Sequence, residues 1–340
     1  MVLRAVSHYG WAGVDLFFVL SGYLIAGQFF AAMLKGRAIS IKSFYYRRSI
    51  RILPNYFVVL GCCMIICVAH GLPVPHPWAY LTFTQNFGIP TIFMTSWSLC
   101  VEQHFYLLFP LVIWLVARSP IRNTGALLFC LTVLVGIALR YSLWSSLRPD
   151  LVRPPELAWA VYYRNINFPT YTRLDGIACG VALAALEHFR PRAWGHVTAC
   201  GDWLLIPAAG LLAVTAIASR TQMGFFYSVL SFPTFGLAFG LMVAAAVAPN
   251  GLLGRIRLPG VETLAVWSYA IYLTHVFALS ATLELCERTG LAKYGVSMAC
   301  AATLLIGLFG AALYYGVERF FLRIRDRKGG SFVATPEAVG

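Results

Sequence analysis

Apolar runs long enough to cross a bilayer recur along almost the whole of this chain, and that repetition constrains its fold more than any other feature. The breakers between them delimit nine predicted helices, at about 12–34, 52–70, 97–117, 124–144, 169–187, 202–219, 225–248, 262–284 and 296–317. A hydrocarbon core about 30 Å thick calls for roughly 20 helical residues. Composition agrees. Of 340 residues, 59% are hydrophobic and 11% charged, whereas a soluble domain carries roughly 25% charge to cover its surface. The expectation is an all-α, polytopic transmembrane helix bundle of about nine spans. It forms a single transmembrane domain over residues 1–328, and residues 329–340 (GGSFVATPEAVG) form a disordered tail.

The net charge of +13 does not point to nucleic acid, which needs one continuous basic face. The basic residues instead sit in short segments between apolar runs, and they alternate. Lys35, Arg37, Lys42, Arg47, Arg48 and Arg51 fall between the first two helices, whereas the next loop, 71–96, has no Lys or Arg. Arg319, Arg323, Arg325, Arg327 and Lys328 close the chain. The positive-inside rule puts the richer set, including the C-terminus, in the cytoplasm and Met1 outside. Residues 1–11 contain no signal peptide to carry the N-terminus across. One more helix ahead of Met1 would place both ends inside, so the chain reads as one whose first helix is missing. A multi-pass protein of the cell inner (plasma) membrane is expected, surrounded by membrane lipids. The nine cysteines lack zinc-ligand spacing with histidines, and no metal is expected.

Ionisable groups inside bilayer helices cost several kcal/mol unless they pair or face water, so each marks a site candidate. Asp15 lies within a turn of the outer end of its helix, and Glu102 about 7 Å below the outer end of its own. Arg173 and Asp175 sit just inside the outer end of the fifth helix, and His275 lies slightly past mid-membrane, about 20 Å from the cytoplasmic end. All fall in the outer half. Ser98, Glu102 and Tyr106 share one helix face through their spacing of four. For Glu102 two readings stand: an ion pair with an arginine such as Arg173, or a group that orients a histidine or takes a proton from a hydroxyl. Asp15 either answers the helix dipole or partners a histidine or Arg173. Ser21 needs no more than a bond to its own backbone four residues back. His275 suits a neutral, hydrogen-bonded structural role as well as a chemical one, and His104 faces away from Glu102. Arg47, Arg48 and Arg51 either anchor topology on lipid phosphates or clamp a phosphorylated ligand bidentately.

Six stretches occur in a specific order: GVDLFFVLSGYLI (13–25), FYYRRSIRILPNY (44–56), SWSLCVEQHFYLLFP (96–110), PTYTRLDGIACGVALA (169–184), SYAIYLTH (268–275) and YYGVERFFLRIRD (314–326). Together they resemble the acyltransferase-3 family of integral membrane O-acyltransferases over residues 8 to about 327. The resemblance implies ten helices, cytoplasmic termini and transfer of an acetyl or other short acyl group. The donor would be acyl-CoA (acetyl-CoA), and the acceptor a hydroxyl of a carbohydrate or lipid-linked glycan. That family carries, in its first helix, an arginine followed eleven positions later by a catalytic histidine. Here Arg4 and His8 are only four apart, so either His8 is that histidine or its counterpart precedes Met1. The catalytic set implied is His8, Asp15, Glu102, Arg173 and His275, with Arg47, Arg48 and Arg51 at the donor's phosphates. The competing readings are a secondary transporter, which commonly shows internal repeats not found here, and a truncated, non-catalytic relative.

Overall fold

In a computed structural model the described residues are 12–328, apart from 75, 122, 149, 151–153, 220, 222, 250, 256–258 and 291–294. His8 and the tail expected to be disordered lie outside them. Every element among the described residues is helical. They include α1 (Gly13–Leu34), α2 (Ile41–Ala69), α3 (Ser96–Arg118), α4 (Thr124–Leu147), α5 (Pro155–Tyr162), α6 (Asp175–Phe189), α7 (Leu205–Ala218), α8 (Ser231–Val247), α9 (Val261–Thr289), α10 (Val296–Leu313) and α11 (Arg319–Lys328). Among the described residues, eight segments are long and apolar enough to cross a membrane. The fifth of the nine expected spans is the exception. Its helix begins at Asp175 rather than 169 and has 15 residues, about 22 Å of rise. The preceding residues form a π turn at Tyr163–Asn167 and a 3-10 turn at Thr170–Thr172. Pro169 and the polar residues around it in NFPTYT deny that stretch the regular ladder that the apolar pattern suggested.

The chain divides into two compact units. The first comprises residues 1–38, 78–89 and 97–256, and so holds α1, almost all of α3, and α4 to α8. At its centre α6 packs on α1, α8 and α4. The buried face of α1 runs through Asp15, Phe18, Val19, Gly22, Ile25, Ala26, Phe29 and Phe30, the three-and-four spacing of one helical stripe. Opposite it, Gly176 and Gly180 form a small-xxx-small pair, a pattern that lets membrane helices approach until their backbones touch. A Cβ on Gly180 would collide with the Val19 carbonyl oxygen, and one on Gly22 with that of Ile177. This close crossing holds Asp15 of α1 beside the residues that open α6. Gly180→Val is therefore expected to destabilise the protein by about 3 kcal/mol or more, the upper range for overpacking. A lowered thermal transition of the purified protein is the measurement.

The second unit comprises residues 39–77, 90–96 and 257–340, with α2, α9, α10 and α11. Ser40 caps α2 by accepting a hydrogen bond from the Ser43 backbone N–H at 3.2 Å. The Tyr269 hydroxyl donates to the Ile52 carbonyl at 2.9 Å, and Asn55 Nδ2 donates to Glu318 Oε2 at 2.8 Å. These bonds join α2 to α9 and to the turn before α11, so the LPNY and GVER motifs meet through Asn55 and Glu318. That pairing spans 263 positions.

Candidate active site

Two buried arginine–aspartate pairs stand at one end of α6, and they differ in how fully they are satisfied. Arg140 of α4 is 0% exposed and Asp175, the first residue of α6, is 2% exposed. Arg140 Nη1 and Nη2 donate to the two carboxylate oxygens at 2.6 and 3.0 Å, Nε donates to the Val229 carbonyl at 3.0 Å, and Nη1 also donates to the Thr172 carbonyl at 2.7 Å. The widened π turn at Phe226–Leu230 leaves the Val229 carbonyl to meet Arg140. This fork-to-fork pair is complete and suits a structural clamp.

Arg173 and Asp15, each 2% exposed, make a different pair. Arg173 Nη2 lies 3.1 Å from Asp15 Oδ1. Arg173 Nε and Nη1 and Asp15 Oδ2 are buried with no hydrogen-bond partner among the described residues. Such groups are costly to bury and rare, so each calls for an explanation. The guanidinium is held in place by aromatic faces: its carbon lies 4.1 Å from the Phe232 ring centroid, 5.2 Å from Trp97 and 5.7 Å from Phe18. The rings supply cation–π attraction and position without consuming N–H donors. Tyr162, outside the apolar spans, is buried beside Tyr227, and burial pushes its phenol well above the ordinary value, so it stays neutral.

Glu102, 3% exposed, accepts a hydrogen bond from the Ser21 hydroxyl, and the Tyr106 hydroxyl lies 3.4 Å from the same Ser21 oxygen. Ser21 thus serves a side chain 81 positions away rather than its own backbone. Ser98, Glu102 and Tyr106 are all buried along the predicted face of α3. The structure brings Asp15 to Arg173 and Glu102 to Ser21 and Tyr106. His275, half-buried in α9 of the second unit, has Nδ1 2.7 Å from the Tyr272 carbonyl. Arg47, Arg48 and Arg51 are half-buried near the start of α2, a helix on which α11 packs, and Arg51 acts electrostatically on Glu318. Sequence reasoning missed Arg140 and Asn55. Each is a polar side chain inside an apolar run, the same signal that marked Asp15. Among the described residues no three His, Cys, Asp or Glu side chains gather as a metal site.

The profile of the family described as Acyltransferase domain matches residues 10–316. The chain belongs to the acyltransferase-3 family. Among curated proteins it is 26% identical over 322 residues to the peptidoglycan O-acetyltransferase OatA of Listeria monocytogenes, covering 87% of this chain and 49% of that one. A putative O-acetyltransferase of Staphylococcus aureus is 29% identical over 80% of this chain and 46% of its own. The putative peptidoglycan O-acetyltransferase YrhL of Bacillus subtilis is 26% identical over 81% and 45%. The chain therefore spans about half the length of these family members. No solved structure matches it.

Proposed function

We propose that this chain is a membrane O-acyltransferase that moves an acetyl or other short acyl group from acyl-CoA to a hydroxyl of a cell-surface carbohydrate. Peptidoglycan is the acceptor class favoured by the names of its relatives. The observation that carries the reading is the half-satisfied Arg173–Asp15 pair. Its neighbour Arg140 shows what a saturated arginine looks like in the same environment. Arg173 keeps the donors of two nitrogens, Nε and Nη1, open, where an acyl oxygen that gains charge during attack would find donors already in place.

The chemistry then runs as follows. A histidine, His8 in this chain, takes the proton of the acceptor hydroxyl. The open Oδ2 of Asp15 orients that imidazole and stabilises its protonated form. The hydroxyl oxygen bonds to the acyl carbon, the carbonyl electrons move onto oxygen facing Arg173, and the carbon–sulfur bond then breaks. The departing thiolate of coenzyme A recovers the proton from the imidazolium. Glu102, with Ser21 and Tyr106, forms a second polar group in the same unit and is assigned to positioning the acceptor hydroxyl. His275 is assigned a supporting role in α9. Arg47 and Arg51, four apart on one face of α2, grip the donor's phosphates together with Arg48. By loop charge that run belongs to the cytoplasmic side, where coenzyme A is made.

Membranes carrying the protein, given acetyl-labelled acetyl-CoA and purified peptidoglycan, are expected to form a base-labile acetyl ester on the glycan. Label accumulating inside vesicles with no ester would make the protein a transporter. Neither ester nor uptake would make it a non-catalytic relative.

A further inference from the structure

We propose that Arg319, Arg323 and Arg327 of α11 form a binding site for the headgroups of anionic phospholipids, seated where the helical path leaves the hydrocarbon core. This inference is independent of the acyltransferase reading, because it concerns the bilayer around the protein rather than the reaction.

All the residues involved belong to the second unit. The 18 residues of α10 carry no charge and rise about 27 Å, nearly the whole thickness of the hydrocarbon. The path continues through the π turn Tyr314–Glu318 into α11, RFFLRIRDRK, where basic residues outnumber the single acid. α11 therefore begins at about the depth where phosphates replace acyl chains. Aromatic side chains mark that level. The Tyr315 ring lies 5.7 Å from Trp267 of α9 with planes at 78°, and the Tyr314 ring 6.3 Å from the same indole. Tryptophan and tyrosine gather at membrane–water interfaces because each ring has an apolar body and a polar edge.

The geometry of α11 then sorts its charges. Arg319, Arg323 and Arg327 are four apart, so they line one face, and all three are exposed. Arg325, off that line and half-buried, is engaged by Asp326: its Nε donates to Oδ1 at 2.9 Å, and Nη2 lies 2.8 Å from the same oxygen. The only acid of the helix is thereby occupied, and the stripe keeps its full positive charge. Arg319 ties the stripe to the aromatic level, with its guanidinium carbon 5.5 Å from the Tyr315 ring centroid. Beside it Phe320 is 60% exposed. A large apolar ring among guanidiniums fits the boundary between acyl chains and headgroups. Arg288, near the far end of α9, offers the contrast, since Glu284 neutralises it. A guanidinium grips phosphate bidentately, and basic residues clustered just past a spanning helix suit anionic headgroups. The occupant is a phospholipid rather than a soluble phosphate compound, because the stripe continues a membrane-spanning helix and has Phe320 at its side.

The test gives the full chain in detergent equal amounts of phosphatidylglycerol and phosphatidylcholine and counts the lipids retained, by native mass spectrometry of the intact complexes. Wild type is expected to retain phosphatidylglycerol in preference. Arg323→Gln should weaken that lipid about fivefold, the usual contribution of one basic residue at an anionic surface. R319Q/R323Q/R327Q should bring the two lipids to parity, whereas R319K/R323K/R327K, which keeps the charge, should retain the preference. Thermal melts of the same preparations show that each variant is folded, and the single variant decides if the triple glutamine variant is not. A wild type without preference, or glutamine variants with an undiminished one, overturns the site. Displacement of bound phosphatidylglycerol by added coenzyme A overturns it as well, because the stripe then belongs to a soluble phosphate ligand.

Discussion

Arg173→Lys is expected to lower acyl transfer by about 10²–10³-fold, the usual cost of losing a donor to a developing oxyanion, with a smaller loss of thermal stability than removing the positive charge would bring. The physical reason is the difference between an ammonium and a guanidinium. Lysine keeps a positive charge for Asp15, so the buried carboxylate is not left alone. It lacks the planar fork that offers Nε and Nη1 in fixed directions, the two donors with no partner among the described residues. It also loses the broad stacking of a guanidinium on Phe232 and Trp97, at 4.1 and 5.2 Å in the native protein. Turnover with labelled acetyl-CoA, paired with a thermal melt, is the measurement. Full activity in the lysine variant would sink the oxyanion assignment.

The second large effect belongs to the other pair and has the opposite character. Arg140→Met is expected to cost about 3–5 kcal/mol of stability, because it strands the Asp175 carboxylate inside the unit. The Val229 and Thr172 carbonyls, which Arg140 now satisfies, lose a donor in the same step. Adding Asp175→Asn to Arg140→Met removes the uncompensated charge and is expected to return most of that loss. Arg173→Lys thus separates chemistry from folding at one pair, and Arg140→Met separates folding from chemistry at the other. Thermal unfolding of the single and double variants decides the second prediction. A single variant as stable as wild type would show that Arg140 clamps nothing.

Much of the protein was legible along the chain because its solvent is simple. In hydrocarbon every backbone N–H and C=O must be satisfied within its own helix, so apolar length alone marks helices such as Gly13–Leu34 and Val261–Thr289. Charge is so costly there that Asp15, Glu102 and Arg173 stood out without any knowledge of their neighbours. The short α6 was not legible. Helix length there is set by the turns at residues 163–172, whose local hydrogen bonding around Pro169 an apolar-length reading of 169–187 does not register.

By itself, then, the sequence determined the class of fold, the family and a short roster of polar side chains that an apolar chain does not keep idly. Only the tertiary structure decided who meets whom. It saturated Arg140 with Asp175, left Arg173 with open donors beside Asp15, and turned Ser21 toward Glu102. The reason is that burial in hydrocarbon is a property each residue carries along the chain, whereas hydrogen-bond satisfaction depends on the positions of atoms dozens of residues away. The close approach of α1 and α6 at Gly22, Gly176 and Gly180 sets those positions.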